Sequence, residues 1–173
     1  DHMTAWLTVE DLRGYVNNTK ATGAEDASLL LSLEVGVGKV EELCGPVVAT
    51  DITERIDVGT YAAVLKFRAE SLTSAATLAG SVLTLADYRV DGSQLLARAD
   101  GGRMPSGPLD VAYVAGWATA PWWARAAALN IAAQHWKSRL TMPGQQPVPA
   151  GFLVSNQAAE LMKDHLLAPL GFA

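Results

Sequence analysis

Residues 109–140, LDVAYVAGWATAPWWARAAALNIAAQHWKSRL, run a strand into an aromatic-glycine turn and then into a proline-initiated, alanine-rich helix. Leu109, Val111 and Tyr113 alternate with Asp110, Ala112 and Val114, the period-two pattern of a strand that packs one face inward. Gly116 turns the chain. Pro121 has a fixed φ and no N–H, which suits the first helical position, where a donor has no intrahelical acceptor; a helix is predicted from there to near Thr141. At about 3.6 residues per turn, Trp122, Ala126, Leu129, Ala133, Trp136 and Leu140 fall on one stripe, the predicted buried face. Trp123, Ala127 and Ile131 form a second apolar strip beside Asn130 and Gln134. A helix apolar on two sides is either central to a monomer core or covered on its second side by neighbouring copies, so Trp123, Ala127 and Ile131 are the candidate subunit interface.

Upstream, Thr8 followed by Asp11 forms a capping pattern, which predicts a short helix over about 9–17. Asn17-Asn18-Thr19 and Gly23 make a loop. A second helix opens near Ala24 or Glu25, where two acids meet the positive end of the helix dipole, and stops at Gly45-Pro46. Its buried stripe is Leu29, Leu33, Val37, Val40 and either Leu43 or Cys44, with Glu34, Glu41 and Glu42 facing outward. From Thr50 the texture changes to short β runs. Ile52, Ile56 and Val58, then Gly59-Thr60, then Val64 to Phe67 predict one hairpin; Leu83 to Val90, Asp91-Gly92 and Leu95 to Ala97 predict another. Residues 101–108, GGRMPSGP, read as a loop facing solvent, DNA or a partner.

Downstream, Met142 to Pro149 is rich in proline and glycine and reads as a linker. Ser155 caps a last helix that Pro169 terminates. Ala158, Leu161, Met162, His165 and Leu166 share one side of it, and Glu160, Lys163 and Asp164 the other. Such a helix either folds back on its own domain or lies in a partner's groove. In the second case the candidate partner-binding residues are Leu161, Met162 and Leu166, with Phe152, Leu167, Leu170 and Phe172 as anchors at the ends. The predicted class is α+β: two N-terminal helices and a long central helix as the core, a mid-chain β-hairpin region, and a C-terminal amphipathic helix on a Pro-rich linker. The expected division is 3–141 for the main domain, 142–154 for the linker and 155–173 for the helix and tail.

The 173 residues, half apolar and 18% charged, suffice for one domain with a real core. No apolar run approaches the roughly 20 residues of a membrane helix, and no signal peptide is visible, so a soluble protein with no membrane contact is expected; Asp1-His2-Met3 reads as a cloning remnant joined to the initiator methionine. Cys44 is the single cysteine, which precludes an intrachain disulfide or a thiolate metal cluster within one chain. A net charge of −5 argues against gripping nucleic acid through a broad basic surface.

Motifs for chemistry are missing. Gly36-Val37-Gly38-Lys39 suggests a phosphate loop, but Leu33 and Val40 stand where that loop needs a glycine and a hydroxyl, and small residues in a helical stripe more simply permit close helix approach. His135 and His165 lack metal-ligand spacing to a second donor, no serine sits in a nucleophile elbow, and Glu41-Glu42 cannot face one another on a helix. Cys44 has no activating neighbour. Trp6, Trp117, Trp122, Trp123 and Trp136 read as core or interface rather than as a stacking groove for bases or sugars. No cofactor, metal or catalytic residue is predicted.

Several of these pieces together resemble the head-tail connector, or adaptor, proteins of long-tailed bacteriophages and prophages. The resemblance rests on Leu7-Thr8-Val9-Glu10-Asp11-Leu12, on Glu25-Asp26 before Leu29-Leu30-Leu31, and on Val111, Tyr113 and Gly116 leading to a proline and an Ala-, Leu- and Trp-rich helix, and covers roughly residues 7 to 141. It implies a non-enzymatic virion protein that joins the portal to a neck or tail completion protein. It also implies a ring of about twelve copies, monomeric when free, around a channel through which DNA passes without sequence-specific binding. The implied location is the head-tail junction, and the host cytoplasm during assembly; the family's C-terminal region engages the portal or a neighbouring subunit. The rival readings are a small intracellular enzyme with an unrecognised pocket and a protein-binding module outside phage assembly.

Overall fold

The computed structural model describes residues 6–17, 23–90, 94–138 and 154–167. Two compact units emerge: a helical one drawn from Asp1–Cys44 and Thr119–Leu166, and a β one drawn from Gly45–Ala118 and Leu167–Ala173. The class is α+β.

In the helical unit, α1 (Val9–Val16) starts at a reciprocal capping box, with the Asp11 N–H donating to Thr8 Oγ1 at 3.2 Å and the Thr8 N–H to Asp11 Oδ2 at 2.8 Å. It ends at Asn17, whose left-handed φ of 55° lets its N–H return to the carbonyls of Arg13 and Gly14. In α2 (Gly23–Cys44), Leu29, Leu33, Val37, Val40 and Cys44 are buried, which is the stripe read from sequence. The antiparallel partner is α3 (Trp122–Ser138). Gly36 is where the two approach: a Cβ there would stand 2.3 Å from the Ala128 carbonyl oxygen and 3.0 Å from Ala132 Cβ. The small residues of the Gly-Val-Gly-Lys stretch thus serve helix packing at Gly36, whereas Gly38 has nothing within 4 Å.

The predicted buried face of α3 needs correction. Trp122 is 73% exposed, and Ala126, Leu129 and Trp136 are only partly buried, whereas Trp123, Ala124, Ala127, Ala128 and Asn130 to Ala133 are buried. Close packing against the Gly36 surface of α2 selects the alanine face (Ala128, Ala132) rather than the tryptophan stripe, because a bulky side chain would hold the backbones apart. The last helix, α4 (Asn156–Met162), is capped by Ser155, whose Oγ accepts from the Ala158 N–H at 3.1 Å. It continues as a 3₁₀ turn over Lys163–His165 and packs on α3.

In the β unit, β6 (Leu109–Ala115) is the centre of a three-stranded antiparallel sheet, between β1 (Thr50–Ile56) and β3 (Ala69–Thr77). Leu109, Val111, Tyr113 and Ala115 are buried and the residues between them half-buried, as the alternation predicts. A second antiparallel sheet orders β2 (Ala62–Val64), β5 (Leu95–Arg98) and β4 (Tyr88–Val90). The core draws on both sheets, with Ile56, Leu65, Leu96, Leu109 and Val111 prominent.

The first predicted hairpin is corrected here. The turn at Gly59-Thr60 exists, with the Gly59 N–H donating to the Ala62 carbonyl at 3.0 Å and a bridge between Val58 and Ala63, but β1 pairs with β6 and β2 with β5, so the arms enter different sheets. In the second, Tyr88–Val90 pairs with Leu95–Arg98 as predicted, but Leu85–Asp87 is a 3₁₀ turn rather than strand, and the Asp91-Gly92 turn lies outside the described residues. The 101–108 loop is tied inward at Met104, which is buried and donates its N–H to the Thr60 carbonyl at 3.0 Å. At the base of the unit, Trp117 and Val47 to Ala49 exchange backbone hydrogen bonds at 3.2 and 2.8 Å. Gly116, with φ of 91°, permits this: a Cβ there would meet the Val48 oxygen at 2.5 Å.

Candidate functional site

In the helical unit the residues nominated for interaction sit on α3 and α4. Trp123, Ala127 and Ile131 are buried inside the unit. Trp123 stacks on the His165 ring, with centroids 4.0 Å apart and planes 6° from parallel. On the C-terminal segment, Met162 is buried with Ala158, Leu161 is half-buried and Leu166 is 52% exposed. Leu167 belongs to the β unit, where its methyls lie 3.4 and 3.7 Å from the position a Gly45 Cβ would take. Phe152, Leu170, Phe172, the 142–153 stretch of the linker and the Pro169 stop lie outside the described residues.

Of the two arrangements open to the last helix, the helix lies folded back on α3. Polar contacts fix it alongside the burial of Ala158 and Met162. The Asn130 carboxamide on α3 accepts from Ser155 Oγ at 2.7 Å and from Gln134 at 3.3 Å, and donates to Gln157 at 3.1 Å and to the Tyr15 hydroxyl at 3.4 Å. A buried amide with its donors and acceptors satisfied specifies one register where apolar surfaces alone would slide.

Several charges elsewhere are paired within the fold. Arg13 pairs with Glu10 and Asp26 in an open cleft of about 250 Å³ between α1 and α2, lined also by Val9, Ala27 and Leu30. Arg125 reaches the Trp6 carbonyl at 3.5 Å and Asp11 at 3.3 Å. Arg55 grips Asp110 with two bonds of 2.7 and 2.9 Å across β1 and β6. Arg98 grips Asp100 at 3.0 and 2.7 Å; that bond, with the Gly102 N–H, holds the Asp100 carboxyl far below its usual range. Burial pushes the Cys44 thiol up to about 11, which keeps it protonated and inert. Among the described residues no cluster of His, Cys, Asp or Glu is disposed to hold a metal ion, and no helix is long and apolar enough to cross a membrane.

The sequence reading missed the apolar side chains that the β unit turns outward. Val82 is 81% exposed, Tyr61 59%, Leu78 55%, Leu95 52% and Val64 43%. Leu78 follows β3, and Val82 bridges back to Ala76. Val64 and Leu95 are register partners on β2 and β5. The signal was present, since aliphatic residues flank a Gly80 turn where polar ones are usual, but β3 itself was not recognised, so the turn had no strands to belong to.

No family model matches the sequence, and no curated protein matches it. Among solved structures, the chain is similar to one from the neck of an empty GTA particle computed with C6 symmetry, with a TM-score of 0.61 over 91% of this chain and 93% of that one. The two chains share a fold. At 20% identity the likeness is one of backbone and element order, and it takes in both the helical unit and the β unit rather than either alone.

Proposed function

We propose that this protein is a structural, non-catalytic component of the head-tail junction of a phage or phage-like particle: a connector that joins the portal to a neck or tail completion protein. The observation that carries the reading is the near end-to-end fold likeness to a chain from a particle neck. It meets the independent order of parts in the sequence, from the capped N-terminal helix to the Val111, Tyr113, Gly116, proline and Ala-Trp helix series. The assembled form is a ring of about twelve copies, a number compatible with the six-fold symmetry of that neck. DNA passes through the bore without sequence-specific contact. The net charge of −5 suits a wall along which DNA slides rather than sticks. The protein works in the virion and meets its partners in the host cytoplasm.

Because Ala158 and Met162 help fill the helical core, truncating the C-terminal helix would test folding more than docking. Leu166, 52% exposed, is the better probe of the portal contact, with Leu161, Leu167, Phe152, Leu170 and Phe172 as its proposed companions. The test mixes the purified protein with its cognate portal and counts bound copies by native mass spectrometry, for the unaltered chain and for Leu166→Glu. A stoichiometric ring on the portal, weakened at least tenfold by Leu166→Glu at unchanged melting temperature, is expected. Absence of binding by the unaltered chain refutes the connector reading.

A further inference from the structure

The β3 turn is built to present apolar side chains. Its backbone is held by Gly80 N–H to the Thr77 carbonyl at 2.8 Å, Thr77 N–H to the Ser81 carbonyl at 3.0 Å and Leu83 N–H to the Ala75 carbonyl at 2.9 Å, and the Ser81 N–H also reaches Thr77 Oγ1 at 3.2 Å. Gly80 supplies the positive φ of 81° that the reversal needs. On this hydrogen-bonded tip stand Leu78 and Val82, 55% and 81% exposed. Ordering entropy has been spent in folding the tip, so little remains to be lost when it docks, which is the condition for a short loop to act as an anchor.

The same unit carries a second apolar patch at a different place. Val64 and Leu95 stand directly opposite each other on the outer face of the β2-β5-β4 sheet, 43% and 52% exposed, and Tyr61, 59% exposed, precedes β2. β2 is the edge strand remote from β4, and β4 is the strand beside which β3 packs. Tip and patch are thus separate features: the tip follows β3, a strand of the other sheet, and the patch lies on β2 and β5.

We infer that the Leu78/Val82 tip of one copy docks on the Tyr61, Val64 and Leu95 patch of the next, and that this is the head-to-tail contact that closes the ring. This rests on the ring reading above. A two-fold dimer needs one patch that faces itself; a cyclic assembly needs two different patches, and this unit exposes two, one at the Gly80 turn and one on β2 and β5. The occupant of the patch is thus a second copy of this chain, as in an assembly with the C6 symmetry of the similar neck. The contact is small and aliphatic, so single pairs separate readily and many copies hold once a portal lines them up. The behaviour expected of such a contact is a monomer when free and a ring when templated.

The test is proximity cross-linking on the assembled portal complex. Val82→Cys chains are mixed with Val64→Cys chains and treated with a short bis-maleimide at neutral pH, where Cys44, buried and protonated, does not react. Cross-linked dimers are expected in the mixture and in neither variant alone, and a chain carrying both substitutions should give a ladder ending at the full ring. A Leu78→Asp/Val82→Asp chain should melt as the unaltered protein does, because both positions are solvent-facing, yet assemble at least tenfold less. A full ring on the portal with no 82-to-64 cross-link, or full assembly by the double-aspartate chain, overturns the contact while leaving the connector reading standing. Failure of the unaltered chain to form any ring on the portal overturns both.

Discussion

Two glycines two residues apart in α2 should respond to alanine with opposite signs. At Gly36 the new methyl would lie 2.3 Å from the Ala128 carbonyl oxygen, 3.0 Å from Ala132 Cβ and 3.1 Å from the Ala132 nitrogen. An unstrained heavy-atom contact lies near about 3.5 Å, so α2 and α3 must part by roughly 1 Å, and no rotamer relieves it because two of the three obstructing atoms are backbone. Overpacking of this kind costs about 1–3 kcal/mol, and the gain from removing glycine's conformational freedom in a helix is about 1 kcal/mol. A 2.3 Å clash with backbone belongs in the upper part of that range, about 2–3 kcal/mol, so Gly36→Ala is expected to destabilise by about 1–2 kcal/mol net. Gly38 meets nothing within 4 Å, so Gly38→Ala keeps the propensity gain and should stabilise by about 0.5–1 kcal/mol. With about 2–4 °C per kcal/mol in a chain of this size, thermal melts by far-UV circular dichroism should move down by roughly 2–8 °C for the first variant and up by about 1–4 °C for the second. Equal shifts of one sign, or a Gly36→Ala protein as stable as the parent, would refute the close-packing account of the helix pair.

Tyr113→Phe removes a phenol that donates to Glu54 at 2.7 Å and accepts from the Phe67 N–H at 3.2 Å, so urea unfolding should show a loss of about 1–3 kcal/mol at neutral pH. The Tyr113 pKa is raised by burial first and by the Glu54 bond second. Its neutral form is favoured by folding, so this contribution is present below the ordinary phenol range near pH 10 and lost above it, and the Phe variant should lack that part of the alkaline decline. The Cys44 thiol, raised from 9.0 to about 11 by burial, works in the same direction: stability it supports is complete below pH 9 and is lost from there to about pH 11. Maleimide labelling of Cys44 should accordingly be slow in the native protein and fast in urea; rapid native labelling at pH 7 would contradict its burial.

What was legible in the sequence was what one element states about itself. The Thr8-Asp11 box, the five-residue stripe of α2, the alternation of β6 and the Ser155 cap each depend on residues a few positions apart, and each stands in the structure as read. Pairing partners were not legible. Nothing local tells β1 to choose β6, some 55 residues away, over the chain just beyond its own turn. β3 went unseen because Ala-Glu-Ser-Leu-Thr-Ser-Ala-Ala-Thr has few large apolar residues, and register shifts at Ala69/Ser71 and Leu72/Ser74 break the period of two. On α3 the choice of buried face was set by Gly36 on another helix, information absent from the α3 sequence. The exposed patch on β2 and β5 was hidden for the same reason, since exposure is a property of the fold, whereas the Leu78/Val82 tip carried a local signal at Gly80 that has no meaning until β3 is seen.

The order in which the helical unit is assembled has a consequence for synthesis. The stripe of Leu29, Leu33, Val37 and Val40 leaves the ribosome before the helix that covers it, because the whole of Gly45–Ala118 intervenes. At about 5–20 residues per second, α2 waits on the order of 4–20 seconds for α3 with an oily face uncovered. The β unit, whose described sheets pair only strands that lie within that intervening stretch, can close first. The nascent chain therefore folds from its middle outward, and its most vulnerable moment comes before α3 is made, when the apolar face of α2 is a surface for chaperones.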